Sequence, residues 1–239
     1  MSTKKTLHTV LSPRLLDIYD INNCIVVIID VFRATSTIAT ALYNGASRII
    51  PVDSIELCIE LGKTTGGITA GERDGKVIQG LEYGNSPAEY PRSFIEGKTL
   101  ILTTTNGTRL LHMAINSGAD QVVTGSFPNL SAVCDYIITQ EKPVILACSA
   151  WKDRFNLEDA LFAGAVINQI RDYFTIHCDS SLMASDLYNL HKNNLHSIIR
   201  QTTHWHRLAS YGLEKDLEYC VTPDVANILP FYKNGDLVV

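Results

Sequence analysis

At 239 residues, with 46% hydrophobic and 19% charged residues, the chain is long enough for one large domain or two small lobes, each with its own core. A net charge of −5 excludes generic nucleic-acid binding, which needs a basic face, and no apolar run approaches the length that crosses a bilayer. Six cysteines without paired spacing, and a Met1–Lys5 start that leads into no signal-peptide core, read as a reduced, cytoplasmic protein.

Leu7 to Leu11 reads as a first strand, followed by a helix opened by Ser12-Pro13. Cys24-Ile-Val-Val-Ile-Ile-Asp30 is a β-branched run apolar on both faces, which suits a strand buried in a parallel sheet. The turn Val31 to Thr37 leads into a helix that stops at Gly45, and a strand follows at Ile49-Ile50. Ser54 caps a helix to about Lys63, ended by Gly66-Gly67. A short strand at Ile68-Thr69-Ala70 then carries Gly71-Glu72-Arg73. Asp74 to Gly97 is a long loop rich in Gly, Pro and Asn, a length that in a compact domain points to function, with a short helix start at Gly84 to Glu89. Leu100-Ile101-Leu102 and the turn Thr103 to Arg109 repeat the first pattern. Asp30 falls on Thr103, Gly45-Ala46 on Gly118-Ala119, and Ile49-Ile50 on Val122-Val123, so each copy reads as a right-handed βαβ unit. Pro128 to Gln140 is a helix and Val144 to Cys148 a buried strand. After the turn Ser149 to Phe155 comes a helix from Asn156 to Arg171. The remainder is mainly helical from Asp179 to Gly212, with strand candidates at Leu217 to Val221 and Ile228 to Tyr232. The expected fold is a three-layer α/β/α arrangement with a mostly parallel or mixed sheet. It is one domain, or two lobes (1–97 with 205–239, and 98–204) with the site in the cleft between them.

In such folds ligands gather at the carboxyl edge of the sheet, where Asp30 emerges. Asp30 can bind a metal or act as base or nucleophile; it can also merely cap the following helix. The nucleophile role of haloacid-dehalogenase phosphatases needs a second Asp two residues on, where this chain has Phe32, so metal ligation is the better reading. Arg33 can hold an anion. Thr103 to Thr108 offers hydroxyls and, through Gly107, close backbone approach at a helix N-terminus, but lacks the Gly-Lys-Ser/Thr ending of a P-loop. Glu72 is a reasonable hard-metal ligand or else part of a surface ion pair. Glu158 and Asp159 suit the first turn of a helix, and Asp159 can instead face the cleft as a metal carboxylate. The seven histidines show no metal spacing, and His204 and His206, flanking Trp205, read as partly buried packing residues. Neither G-x-S-x-G nor G-x-G-x-x-G occurs.

Asp30-Val-Phe-Arg-Ala-Thr-Ser-Thr37, Gly71-Glu72-Arg73, Gly84-Asn85-Ser86-Pro87, Thr104-Thr-Asn-Gly-Thr108 and the Cys148 to Asp159 turn, in that order, resemble the 2-phosphosulfolactate phosphatase family. His206-Arg207-Leu208 and Asp216 to Cys220 fit it more loosely, and Ala150 departs from it where a Gly is expected. The resemblance implies a Mg²⁺-dependent hydrolase that converts 2-phospho-3-sulfolactate to 3-sulfolactate and phosphate on the route to coenzyme M. On this reading Asp30, Arg33, Glu72 and Asp159 form the catalytic set, with Asp30, Glu72 and Asp159 holding Mg²⁺ directly or through water. Arg33, Arg73, Arg109, Lys152 and Arg154 bind the substrate's anionic groups, with Thr104, Thr105, Asn106, Gly107 and Thr108 as a cradle. Cys148 is disfavoured as a nucleophile because Arg154 follows at the wrong spacing for a cysteine-phosphatase loop. The competing readings are a phosphatase of another 2-phospho-hydroxy acid and a non-catalytic binder of anionic metabolites. The expected partner is a small phosphorylated anion, with neither nucleic acid nor membrane, and the apolar C-terminal stretches offer a homodimer surface.

Overall fold

The computed structural model describes residues 5–176 and 178–239; the leader reading at Met1–Lys5 rests largely on residues outside this range. The described residues form eleven strands: β1 (Lys5–Val10), β2 (Ile25–Ile29), β3 (Arg48–Pro51), β4 (Ile68–Arg73), β5 (Lys76–Val77), β6 (Thr99–Thr103), β7 (Gln121–Gly125), β8 (Val144–Cys148), β9 (Phe174–Ile176), β10 (Phe231–Lys233) and β11 (Asp236–Val238). The helices are α1 (Ala34–Tyr43), α2 (Ile55–Thr65), α3 (Arg92–Ile95), α4 (Gly107–Asn116), α5 (Leu130–Thr139), α6 (Leu157–Ile170), α7 (Asp179–His191), α8 (Leu195–Ile199), α9 (Thr203–Ala209) and α10 (Glu214–Cys220). Local chemistry sets the boundaries. The Ser54 side chain accepts from the Leu57 N–H at the start of α2, and Gly66 closes that helix at φ 66°, a conformation that costs a residue with a Cβ about 1–2 kcal/mol.

All the strands join one mixed sheet in the order β5-β4-β6-β3-β11-β10-β7-β2-β8-β1-β9. Strands β7, β2, β8, β1 and β9 form one parallel block, and β3, β6 and β4 another. The antiparallel hairpin β10–β11 joins them through Phe231 opposite Val123 and Leu237 opposite Ile49, so the two blocks run in opposite directions. Outward from the hairpin the order is β3-β6-β4 on one side and β7-β2-β8 on the other. The internal repeat seen in the sequence therefore appears as a two-fold pattern in the sheet. Its units differ from the reading above in one respect. The strands of β2–α1–β3, and likewise those of β6–α4–β7, lie in opposite blocks. Parallel crossovers through a long helix instead include β3–α2–β4, β7–α5–β8 and β8–α6–β9, one element further along. Strand pairing also crosses the 1–97/98–204 division, since β2 pairs with β7 and β8 while β6 pairs with β3 and β4.

Alternation along β2 shows the layers. Ile25, Val27 and Ile29 join a core with α5 and α6, whereas Val26 and Ile28 join a second core with α1 and α4. Helices thus cover both faces. Two local readings change. Leu217 to Val221 is not a strand: Leu217, Cys220 and Val221 are buried at helical spacing, and the segment forms α10 and its C-cap. The helix opened by Ser12-Pro13 is a 3-10 segment, Pro13–Ile18.

Candidate active site

The carboxyl ends of β2 and of the adjacent pair β4 and β6 meet although β2 is no neighbour of that pair in the sheet. Gly107, first residue of α4, lies so close to Asp30 that an added Cβ would sit 2.8 Å from Asp30 Oδ2. The Asp30 carboxylate therefore lies against a helix N-terminus, where a negative charge is favoured. Its backbone is held by Thr35, whose Oγ1 accepts from the Asp30 N–H at 3.1 Å and donates to the Asp30 carbonyl at 2.9 Å. At the end of β4, Glu72 accepts from the Thr105 N–H (2.9 Å) and the Gly75 N–H (2.8 Å), which ties the threonine-rich turn to the 74–97 loop.

These groups line one narrow cavity with Arg33, Asn85, Asn106, Trp151, His204 and Arg207. Arg33 is buried and donates to Asp216 Oδ2 of α10 at 2.5 Å. His204 of α9 meets Glu158 Oε1 through Nδ1, also at 2.5 Å. Several polar atoms that are screened from solvent have no protein partner: Thr105 Oγ1, Asn85 Oδ1, and Nε and Nη1 of Arg207. Buried polar groups are ordinarily satisfied, so three unsatisfied side chains on one cavity mark a place that a polar ligand completes. Burial first, and then the Glu72 carboxylate, push Asp30 up from 3.8 to about 7.

Of the residues picked out in the sequence, Asp30, Arg33, Glu72, Thr105 and Asn106 face this cavity, and Gly107 abuts it. Asp159 is buried behind it. Its Oδ1 accepts from the Val31 N–H at 2.9 Å, and its Oδ2 accepts from the Ala150 N–H and the Ser149 hydroxyl, both at 3.3 Å. It thus joins the ends of β2 and β8 through hydrogen bonds rather than lining the cavity. The hydroxyls of Thr104 and Thr108 are engaged with each other's backbone N–H groups. Arg73 donates to the Glu72 carbonyl and to Thr103 Oγ1. Arg109 is half exposed and pairs with Asp153, and Arg154 is exposed. Lys152 is exposed and pairs with Asp74 near the rim. Seven lining residues were not among the sequence candidates, and four of them bear polar or aromatic groups suited to a ligand: Asn85, Trp151, His204 and Arg207. His204 is the clearest change, a cavity residue bonded to a carboxylate rather than a packing residue. Asn85 and Arg207 did fall inside motif pieces, Gly84 to Pro87 and His206 to Leu208.

Comparison with known proteins bears on this geometry. A sequence model for 2-phosphosulpholactate phosphatase matches residues 10–235. The chain belongs to the 2-phosphosulpholactate phosphatase family. It is 40% identical over 214 residues to a probable 2-phosphosulfolactate phosphatase of Caldanaerobacter subterraneus, which covers 88% of each chain. It is 40% identical over 213 residues to one of Thermotoga petrophila (89% of this chain, 91% of the other). A Clostridium perfringens protein of the same description is 33% identical over 236 residues, covering 97% and 95%. Within this family member, all five motif pieces put a residue on the cavity wall: Asp30 and Arg33, Glu72, Asn85, Thr105 with Asn106, and Trp151. No helix among the described residues is long and apolar enough to cross a membrane.

The cavity carboxylates are oxygen donors of the kind hard divalent cations take. Among the described residues no three acidic, histidine or cysteine side chains converge into a ready-made metal cluster. Asp30 and Glu72 both line the cavity, and burial first, then the Glu72 charge, raises the Asp30 carboxyl above the usual carboxylate range.

Proposed function

We propose that this protein is a Mg²⁺-dependent cytoplasmic phosphatase that releases phosphate from 2-phospho-3-sulfolactate, giving 3-sulfolactate for coenzyme M synthesis. The observation that carries the reading is the single cavity on which Asp30, Glu72 and the unsatisfied Thr105, Asn85 and Arg207 atoms converge in a chain of this family. Asp30 and Glu72 would hold the ion, with waters and substrate oxygens completing its shell, as Mg²⁺ prefers. Bound there, it supplies positive charge for the phosphoryl oxygens and lowers the pKa of a coordinated water.

The chain's own groups account for the remainder. Thr105 Oγ1 and the α4 N-terminus offer donors to the phosphoryl oxygens. Arg33 is fixed by Asp216 and adds a buried positive charge beside Asp30. Glu158 holds His204 through Nδ1, which leaves Nε2 as the ring nitrogen able to hold a proton for the departing C2 oxygen. Asp159 positions the ends of β2 and β8 and so fixes where Asp30 leaves the sheet. A panel of phosphorylated hydroxy acids, assayed for phosphate release with EDTA and then with Mg²⁺, tests the reading. Turnover that appears with Mg²⁺ and is highest on 2-phospho-3-sulfolactate supports it. Preference for another 2-phospho-hydroxy acid changes the substrate, and tight binding without turnover makes the protein a metabolite binder.

A further inference from the structure

The substrate of the reaction just proposed carries two anionic groups besides the phosphate, and one cavity arginine has no duty in the folded chain. Arg33 is satisfied by Asp216, with the Gly75 carbonyl 3.4 Å from its second terminal nitrogen. Arg73 is bonded to Glu72 and Thr103, and Arg109 to Asp153. Arg207 differs. Its Nε and Nη1 are screened from solvent and meet no protein acceptor. Its guanidinium carbon lies 4.5 Å from the centroid of the Trp151 ring, so the head is held by stacking rather than by a carboxylate. Both residues line the cavity that holds Asp30. Leaving a guanidinium's donors dry and unpaired is costly, and folded chains rarely do so without a ligand to receive them.

We propose that Arg207, seated on Trp151, binds the non-reacting acid group of the substrate, its sulfonate or carboxylate, and sets the enzyme's preference for diacidic phosphate esters. This rests on the phosphatase reading above. Asp30 and Glu72 are the carboxylates that line the cavity, so the reacting phosphoryl group, with its cation, belongs with them and the free acid group belongs at Arg207. Trp151 gives that end an apolar wall, which strengthens a charge-assisted hydrogen bond by excluding water. Arg207 comes from α9, the helix that also carries His204, so one short helix brings both residues to the cavity.

The test compares wild type, Arg207→Gln and Arg207→Lys by three readouts: steady-state kinetics on 2-phospho-3-sulfolactate, competitive inhibition by inorganic phosphate, and calorimetric binding of 3-sulfolactate itself. Arg207→Gln is expected to raise KM and weaken 3-sulfolactate by about 10- to 100-fold, the range of a lost hydrogen bond to a charged group. kcat should stay within about threefold, because the lost contact is made equally in ground and transition states. Inhibition by phosphate should not move, and Arg207→Lys should recover part of the affinity. An equal loss of phosphate inhibition, or unchanged KM and 3-sulfolactate affinity, overturns the assignment while leaving the phosphatase reading intact. A wild type that binds 3-sulfolactate through Arg207 but hydrolyses no phosphate ester overturns the phosphatase reading and keeps the assignment. A wild type that does neither overturns both.

Discussion

Replacing Asp30 by Asn separates the charge of this carboxyl from its shape. The side chain is 5% exposed and its value is pushed up from 3.8 to about 7, by burial first and then by Glu72. The native state thus holds the proton more tightly than the unfolded chain does. The stability this brings is complete below about 4 and is lost as pH rises through about 7. At 1.36 kcal/mol per pH unit, the interval corresponds to about 4 kcal/mol between pH 4 and pH 8 in metal-free protein. Asn carries no charge at any of these values. In EDTA the two proteins should therefore melt together near pH 4 and diverge with rising pH, Asp30→Asn being the more stable by up to about 4 kcal/mol at pH 8. For a chain of this size that is a Tm difference of about 8–15 °C. Mg²⁺ should close the gap by stabilising wild type alone, and Asp30→Asn should lose phosphate release at saturating Mg²⁺. Melting curves from pH 4 to 8.5 with EDTA or Mg²⁺ read this directly. Parallel curves for the two proteins in EDTA, or near-normal turnover by Asp30→Asn, would refute the reasoning.

Gly107→Ala would put a Cβ 2.8 Å from Asp30 Oδ2 and from the Ala34 Cβ, so kcat/KM for the phosphate ester should fall by about 10²-fold, read in steady-state kinetics. Asp216→Ala strands the buried Arg33 charge and should cost about 3–5 kcal/mol in urea unfolding, with Asp216→Glu recovering part. Gly164→Ala gains about 1 kcal/mol of helix propensity but places a Cβ 2.0 Å from the Ala184 carbonyl where α6 crosses α7. Overpacking there should win, lowering stability by a net 1–3 kcal/mol in the same measurement.

Much of the scaffold was legible because its signals are local. The β-branched run Ile25–Ile29 can only be a doubly covered strand, its closing carboxylate has to emerge at the sheet edge, and Ser54 and Gly66 mark both ends of α2. Glu72 and the threonine-rich turn were legible as motif pieces, and both reach the cavity. The C-terminal hairpin was only half legible. Ile228 to Tyr232 was expected as a strand, but Asp236–Val238 is three residues long, and nothing local says that the pair inserts between two sheet halves. Arg109 looked like an anion ligand from its place after the turn, yet it is the third residue of α4 and reaches Asp153 instead. His204, Trp151 and Arg207 were hidden for a tertiary reason. Each lies far along the chain from Asp30, and the packing of α9 against the β8–α6 turn decides that they face the same cavity.

The most direct measurement is phosphate release from 2-phospho-3-sulfolactate by the purified chain, first in EDTA and then after Mg²⁺ is restored. Turnover that is absent in EDTA, returns with Mg²⁺ and is abolished by Asp30→Asn is the expected result. Turnover that persists in EDTA, or that never appears with Mg²⁺, would contradict a catalytic cavity built on Asp30 and Glu72.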